Sequence, residues 1–247
     1  MKADPFAQLR LLDLQALDSG LARLAHRRRT LPELTEMQRL DGLVDGSRDD
    51  VVRAETEAGD LARETRRYED EIAQVRARKS RNDERLASGA VAQAKQLEDL
   101  QHENVSLLRR QAELEDRELE VMERAEGVQE VLDRLLAERA ERLVARTDAE
   151  QARDCAWAEI DAEVERTTGE RAALAAGLPA PLLALYEKIR AAQGGVGAGE
   201  LTRGRCGGCR LDLMGNEIAE FRAAAPDEVL RHEECTRILV RTAESGL

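Results

Sequence analysis

The sequence predicts a mainly α fold in which a long antiparallel coiled-coil helical hairpin is followed by a small C-terminal α+β domain. Three observations lead to this prediction. Charged residues make up 36% of the chain and aromatic residues 2%, and Ala, Leu, Glu, Arg and Asp dominate the segment up to about residue 176, which is typical of long paired helices. Apolar residues recur in this segment at coiled-coil spacing. Finally, four potential metal ligands are grouped in two pairs near the carboxyl end.

Two segments carry apolar residues at alternating steps of four and three, which is the pattern of coiled-coil helices. The first seam contains Leu40, Val44, Ser47, Val51, Ala54, Ala58, Leu61, Thr65, Tyr68, Ile72, Val75, Lys79, Asn82 and Leu86. The second seam contains Leu97, Leu100, Asn104, Leu107, Gln111, Leu114, Glu118, Val121, Ala125, Val128, Leu132 and Leu135. Two seams of similar length predict two helices that pack against each other.

The segment 86–90 between the seams is the best turn candidate, because it contains Ser88 and Gly89. We therefore expect an antiparallel hairpin over residues 1–180, with its tip near 87–91. Its first arm is interrupted near 30–32. There Thr30 is expected to cap a new helix that has Pro32 in its first turn.

Before this interruption, a helix is expected to pack on the base of the return arm. Its predicted apolar face contains Leu9, Leu12, Ala16, Leu21 and Leu24. In the return arm, Cys155 lies close to Trp157 in the sequence and is expected to be a packing residue.

The rest of the chain divides into a connecting segment at 181–199 and a small domain at 200–247. The first contains a short helix at 182–192 and a glycine-rich linker at 194–199. In the second, short strands are expected at 200–205 and 237–241. A helix is expected at 217–224, capped by Asn216.

Cys206 and Cys209 are followed, after 22 further residues, by His232 and Cys235. Two ligand pairs, each with two residues between its members, fit a closed tetrahedral site for one structural zinc ion. The glycines at 207 and 208 suit the tight first turn, where backbone N–H groups can face the sulfurs. The alternative is that Cys206 and Cys209 form a redox pair, but such a pair usually belongs to a βαβ unit, and this segment predicts none.

Three further segments accompany these ligands: residues 119–123, 185–190 and 237–240, which read LEVME, LYEKIR and RILV. Together with the long hairpin and the first cysteine pair, they resemble the bacterial C4-type zinc-ribbon proteins with an N-terminal coiled-coil domain. The resemblance covers nearly the whole chain, and its specificity lies mainly in residues 182–241. It implies a zinc ribbon at 200–247 and, broadly, a binding role of the kind that zinc ribbons have in transcription and RNA machinery.

The second ligand pair departs from the pattern of that family, which is usually Cys-x-x-Cys-Gly-Arg. Here His232 stands in place of the first Cys, and Thr236 in place of the Gly. The resemblance therefore implies a site of three Cys and one His. The net charge of such a site with zinc is about −1 instead of about −2.

The charge distribution suggests where a partner could bind. Residues 97–176 contain 22 acidic and 11 basic residues, whereas residues 1–96 contain 18 of each, so the return arm repels nucleic acid. Two local groups of cations remain as candidate contacts with phosphates or an acidic protein surface. The basic tip contains Arg76, Arg78, Lys79, Arg81, Arg85 and Lys95, and the ribbon edge contains Arg203, Arg205 and Arg210. The alternative is that both groups are solvated surface charges.

These observations favour a non-enzymatic zinc-ribbon and coiled-coil adaptor that binds a protein partner or nucleic acid. The alternative is a purely structural spacer or dimeriser, and the oligomeric state is left open. No catalytic constellation, phosphate-binding loop or open metal site is visible, which argues against an enzyme or a small-molecule substrate. We expect a cytoplasmic protein without a membrane segment, because no signal peptide or long apolar stretch is seen and cysteine usage suits a reducing compartment.

Overall fold

The computed structural model describes residues 1–89, 91 and 93–247. The chain forms two compact units, one made of Met1–Thr35 with Glu150–Leu247 and the other of Glu36–Ala149. The helices are α1 (Pro5–Arg29), α2 (Pro32–Gly46), α3 (Arg48–Ala87), α4 (Ala94–Ala176), α5 (Ala180–Ala192) and α6 (Gly215–Ala223). The strands are β1 (Ala198–Thr202), β2 (Arg205–Cys206), β3 (Leu230–Arg231) and β4 (Ile238–Arg241). The predicted fold class, mainly α with a small β part, is confirmed.

In the unit Glu36–Ala149, α3 and α4 pack in antiparallel orientation along the two predicted seams. Leu61, Tyr68 and Ile72 of α3 form a buried cluster with Leu114 and Val121 of α4. Every position of the first seam is buried or half-buried, and so is every position of the second except the terminal Leu97, which is 38% exposed. The heptad pattern therefore predicted this packing, because local periodicity alone decides which helical face is apolar.

Polar contacts across the two helices confirm their antiparallel pairing. Asn82 donates a hydrogen bond to Glu103 at 3.0 Å, and Arg76 forms an ion pair with Glu115 at 2.6 Å. As the residue number rises on α3, its partner's number falls on α4. At the tip α3 ends at Ala87 and α4 begins at Ala94, while Ala90, the last residue of the predicted turn segment, lies outside the described residues.

The interruption near residue 30 is a break between two helices. α2 begins at Pro32, as predicted. Thr30, however, does not cap α2 but ends α1, since its backbone N–H and its hydroxyl both donate to the carbonyl of His26. A second break, at Ser47, was not predicted. The Ser47 backbone stays close to helical dihedrals there, with φ −84° and ψ −8°, which explains why the seam continues through it.

The prediction of which α1 residues form its buried face is partly wrong. Leu9 is 42% exposed and Ala16 is exposed, whereas Leu11 and Leu14 are completely buried. The reason is that α1 packs on more than the return arm. It also contacts β1 and β4 and shares a core with α5, so the buried stripe turns toward the sheet. This core contains Ala3, Ala7, Leu11, Leu14, Ala175, Leu178, Leu182, Tyr186, Ile189, Ala198, Val229, Ile238 and Val240.

The four strands form one sheet in the order β2-β1-β4-β3. β1 and β4 are parallel neighbours, and the two outer pairs are antiparallel. The first residues of the chain join the same unit, because Ala3 N–H donates to the carbonyl of Asp227 at 2.7 Å and Val229 N–H donates to that of Met1 at 3.0 Å. The N-terminal residues and the C-terminal sheet are thus parts of one compact unit.

Polar side chains are buried where α1, α4, α5 and the start of β1 meet, and we call Gln15, Asp18, Arg171 and Tyr186 the Asp18 cluster. Tyr186 donates from its hydroxyl to Asp18 at 2.6 Å, and Arg171 Nε donates to the other Asp18 oxygen at 2.8 Å. The amide oxygen of Gln15 accepts from the N–H of Gly197 at 2.7 Å. Each buried polar group therefore has a partner, which is the condition for burying it without a large loss of stability.

Burial alone would raise the pKa of Asp18, but hydrogen bonds from Arg171 and Tyr186 outweigh it and hold the pKa below its ordinary value of 3.8. Because folding lowers this pKa, the stabilisation is complete above the unfolded-state value. It is lost as the pH falls through the lower folded-state value.

We expect Asp18→Asn to lower the free energy of unfolding by about 2 to 3 kcal/mol at pH 7, since it removes two charge-assisted hydrogen bonds from a buried site. Urea unfolding followed by the fluorescence of Trp157, the chain's one Trp, measures this in the same unit. The matched control is Asp13→Asn, because Asp13 is an exposed acid of the same helix. The difference between the two variants should shrink below about pH 4. A difference that is constant with pH would contradict the assigned role of Asp18.

Candidate metal centre

The structure brings Cys206, Cys209, His232 and Cys235 together, with their ligand atoms within 4.8 Å of one another. The sulfurs of Cys206 and Cys235 are 3.9 Å apart. Zinc–sulfur bonds of about 2.3 Å in a tetrahedron place two sulfurs about 3.8 Å apart, so the spacing matches. The Nδ1 atom of His232 lies 3.3 Å from Cys209 Sγ and 3.2 Å from Cys235 Sγ. The donor set and its size fit one structural zinc ion.

Two turns of the same construction present the ligands. In each, the residue after the second ligand donates its N–H to the carbonyl of the first: Arg210 to Cys206 at 2.7 Å, and Thr236 to His232 at 2.8 Å. Both closing residues have left-handed backbones, with φ 65° at Arg210 and φ 60° at Thr236. A β-branched residue is strained in that region, and Thr236 stands where the related pattern has glycine.

The glycines of the first turn serve the predicted purpose, because the backbone N–H of Gly208 bonds to the Cys206 sulfur. Gly207 and Gly208 do not have positive φ values. They are also needed because the turn is closely packed: a Cβ on Gly207 would lie 2.8 Å from the carbonyl oxygen of Glu200, and one on Gly208 would lie 2.6 Å from Cδ of Arg237. Gly207 N–H donates to the carbonyl of Glu200 at 2.8 Å. The turn is therefore packed directly on β1, which fixes the first two ligands relative to the sheet.

The thiols differ in their surroundings. Burial raises the pKa of the Cys206 thiol to about 12. For Cys209, burial acts in the same direction, but the backbone N–H of Leu211 and then neighbouring side chains, including Arg237, lower the pKa below its ordinary value. Zinc binds both residues as thiolates, so metal uptake releases protons and weakens as the pH falls.

His232 is 1% exposed, and its second nitrogen, Nε2, is buried without a hydrogen-bond partner among the described residues. The nearest carboxylate oxygen is Oε2 of Glu217, at 4.0 Å. Glu217 is itself 1% exposed. The sequence analysis missed this residue, although an acid three positions after a helix cap is a recognisable signal. It places α6 at 217–224, capped by Asn216, whereas the helix spans Gly215–Ala223 with Met214 as its cap.

The basic tip divides into two sets of side chains. Three of its cations are paired within the hairpin: Arg76 with Glu115, Arg78 with Glu103 and Lys79 with Asp83. The other three, Arg81, Arg85 and Lys95, are exposed and have no ion pair among the described residues. The sequence grouped six cations without distinguishing these sets.

The ribbon edge is more internally bonded. Arg205 Nε donates to the carbonyl of Arg210 at 2.7 Å and lies 3.8 Å from Asp212. Arg203 is 3.9 Å from Glu244. Arg210 has no ion pair among the described residues. The sequence-based assignment of both groups to partner binding stays a prediction.

The expectation that Cys155 packs in a core is wrong. Its side chain is exposed. Trp157 is half-buried beside a cluster of Leu24, Leu31 and Ile160, and its Nε1 donates to the carbonyl of Arg28 at 3.2 Å. Two positions along a helix correspond to a rotation of about 200°, so a residue two positions from the packed Trp157 points to solvent.

Two family models match the chain. The CT398-like coiled-coil hairpin domain matches residues 14–194, and the C4-type zinc ribbon domain matches residues 205–239, which include all four ligands. The chain belongs to the CT398-like coiled-coil hairpin family. As a C4-type ribbon it is a variant, since His232 supplies the third ligand in chain order.

Relatives at high coverage agree with this assignment. Uncharacterized protein Rv2229c of Mycobacterium tuberculosis is 43% identical over 244 residues, which cover 98% of each chain. A solved structure from Mycobacterium smegmatis has a TM-score of 0.87 and 39% identity, and the match covers 98% of this chain and 100% of that one. The structure of CT398 from Chlamydia trachomatis has a TM-score of 0.64 at 19% identity, covering 96% of this chain and 98% of that one. At that identity the likeness concerns the fold alone.

Within the described residues, no helix combines the length and the apolar character that a membrane crossing requires.

Purified chain should contain about one zinc ion, and Cys206→Ser with Cys209→Ser should lose it, because two of four ligands are removed. The ribbon should then unfold locally while far-UV helicity falls only slightly, since the seams of α3 and α4 bury themselves without metal. Metal analysis and circular dichroism measure the two effects. Cys155→Ser is the matched control and should keep its zinc, because that thiol is exposed and outside the site. Full metal retention in the double variant would contradict the assignment.

Proposed function

We propose that this chain is a non-enzymatic adaptor of the cytoplasm, in which the basic tip of the hairpin contacts an anionic partner. The partner is a protein with an acidic surface or the phosphate backbone of a nucleic acid. The zinc ribbon supplies a second, weaker contact along its edge. The proposal rests on three exposed cations at the tip, Arg81, Arg85 and Lys95, which have no carboxylate partner among the residues that the structure describes.

Two of the acids near these cations, Asp83 and Glu103, are engaged by other side chains. Asp83 accepts from Lys79 at 2.7 Å and from Asn104 at 2.7 Å. Glu103 pairs with Arg78 and accepts from Asn82 at 3.0 Å. Residues 76–95 contain six basic and two acidic residues, so the tip keeps a net positive charge, which favours association with an anion.

Arg81 and Arg85 are four positions apart on α3, so they lie on the same face of the helix. The acidic composition of residues 97–176 disfavours anionic partners along most of the return arm. No aromatic residue belongs to the basic tip or the ribbon edge. These two groups of cations therefore offer no aromatic side chain on which a base of a single strand could stack. Backbone phosphates or protein carboxylates are better ligands for them.

A second candidate function, the spacer or dimeriser, is favoured by a different observation. Several large apolar side chains of α4 are exposed, among them Val105 by 50%, Leu108 by 50%, Leu119 by 57% and Met122 by 42%. Val105 and Leu119 are two heptads apart, as are Leu108 and Met122, so the four side chains lie on one side of α4 next to the buried seam. A helix that packs against a further helix has apolar residues at such positions. This role and the adaptor role are compatible.

Absence of catalysis is part of the proposal and rests on the chemistry of the metal site. Four protein ligands fill a tetrahedral zinc ion and leave no position for water or substrate. Three ligand cysteines and one exposed thiol are also compatible with a reducing compartment.

Replacing Arg81, Arg85 and Lys95 with Gln should weaken partner binding, because it removes the unpaired charges of the tip. For a nucleic-acid partner, three lost phosphate contacts lower the slope of log K against log salt concentration by about 2 to 3 units. Titration of labelled duplex DNA and RNA at several salt concentrations measures this slope. For a protein partner, affinity capture from the native host followed by mass spectrometry should recover a specific protein with the parent chain. That protein should be lost with the triple variant.

The matched control is Arg53, Arg63 and Arg67 changed to Gln. It removes the same number of charges from α3, at exposed arginines paired with acids of their own helix. Binding in the control should equal that of the parent chain. Equal losses in both variants would mean that net charge alone acts, and no binding by the parent chain in either assay would leave the spacer role.

A further inference from the structure

The metal centre has a buried carboxylate beside its one imidazole. We propose that Glu217 is a positioning residue of the zinc site: it accepts a hydrogen bond from Nε2–H of His232 and thereby presents Nδ1 to the metal. This goes beyond the adaptor proposal and does not depend on it.

The imidazole of His232 has a defined orientation relative to the other ligands. Nδ1 faces two of the ligand sulfurs, at 3.3 Å from Cys209 and 3.2 Å from Cys235. Nε2 therefore points away from the ligand cluster. It lies in the protein interior with no hydrogen-bond partner among the described residues, and an unpaired buried polar nitrogen is costly. The one carboxylate oxygen recorded within ion-pair distance is Oε2 of Glu217, at 4.0 Å.

The position of Glu217 is fixed independently of the imidazole. Its Oε2 accepts from the N–H of Met214 at 3.0 Å, and its Oε1 accepts from the N–H of Glu233 at 3.0 Å. The first bond holds the carboxylate at the start of α6, and the second holds it against the residue that follows His232. The carboxylate is thus set between α6 and the second ligand turn, and a shift of about 1 Å brings the imidazole to hydrogen-bond length.

The chemistry of a neutral imidazole explains why this partner matters. Only one ring nitrogen carries a proton, and the other has the lone pair that a metal takes. A carboxylate that accepts from Nε2–H selects the tautomer with a free Nδ1 and raises the donor strength of the ring. The negative charge of Glu217 also stands beside a site that has one thiolate fewer than a four-cysteine ribbon. The histidine therefore gives Glu217 a role beyond accepting from the N–H groups of Met214 and Glu233.

The zinc dissociation constant of the full chain should rise by about 10- to 100-fold in Glu217→Gln, the range typical for loss of an outer partner of a metal-bound histidine. Competition with a chromophoric chelator measures it. The matched control is Glu220→Gln, because Glu220 is an exposed acid of the same helix. That variant should bind zinc as the parent chain does. An unchanged dissociation constant in Glu217→Gln would overturn the proposal.

A second background separates the histidine-linked role from a general structural one. In His232→Cys the site has four thiolates and no imidazole, while the N–H groups of Met214 and Glu233 still need an acceptor. Glu217→Gln should then change the zinc dissociation constant much less than it does beside His232, and the difference is the coupling between the two side chains. Equal losses in both backgrounds would show that Glu217 acts on the fold alone.

A third measurement needs no variant and so remains decisive if Glu217→Gln fails to fold. Nitrogen-15 NMR of the imidazole in the zinc-loaded chain should show Nδ1 bound to metal and Nε2 carrying a slowly exchanging proton. Nε2 ligation, or an Nε2 proton that exchanges at the rate of a solvated imidazole, would overturn the proposal.

Discussion

The hydrogen bonds around Asp18 are the interaction on which the first compact unit depends. A single carboxylate from α1 accepts from Arg171 of α4 and Tyr186 of α5. The adjacent Gln15 accepts from the backbone where β1 begins. α1 thus meets the end of α4, α5 and the start of β1, which are all distant from it in the sequence. Apolar contact alone would allow several helix registers at this site. Directional hydrogen bonds to a buried charge allow only one register, because a shift of one helix along another leaves a charged group without a partner.

The zinc centre lies in the same unit and also fixes how its elements pack, but through metal coordination and not through hydrogen bonds. The ribbon is too small to bury a large core, and its cluster of buried residues includes two of the ligands, Cys206 and Cys235, alongside Leu201, Phe221 and Leu239. Metal coordination therefore supplies stability that further buried apolar side chains supply in a larger domain. The left-handed Thr236 shows that this bonding also holds a backbone conformation that the residue itself disfavours.

Local periodicity made much of the fold predictable from the sequence. The seams of α3 and α4 follow a repeat of seven, and ligand spacing is equally local, so both the hairpin and the four metal ligands could be named. The burial of Gln15 and Asp18 could not, because polar residues in a helix are buried only when distant partners satisfy them. The exposure of Cys155 and the role of Thr30 were missed for a related reason. The nearby Trp157 suggested that Cys155 is packed, but only Trp157 faces the cluster of Leu24, Leu31 and Ile160. The nearby Pro32 suggested that Thr30 caps α2, but the Thr30 hydroxyl donates to the carbonyl of His26 in α1.

The metal centre also has a part that the sequence predicted and a part that it did not. Cys206, Cys209, His232 and Cys235 follow from spacing, whereas the proximity of Glu217 to the imidazole depends on how α6 folds against the second turn. Glycines 207 and 208 were correctly associated with backbone N–H groups that face a ligand sulfur, but their close approach to Glu200 and Arg237 was not predicted. A sequence shows that a backbone is free to turn, yet it does not show which other backbone lies against it.

The bond between Gln15 and Gly197 joins positions 182 residues apart, and this has a consequence for the chain on the ribosome. At about 5 to 20 residues per second, synthesis of that interval takes on the order of 10 to 40 s. During this time the polar side chains of α1 have water as their partner. The stretch Glu36–Ala149 is continuous and closes on itself meanwhile. The unit that carries the zinc site is therefore completed only after Glu36–Ala149 has been synthesised, and during that time α1 is without its folded partners and open to chaperones and proteases.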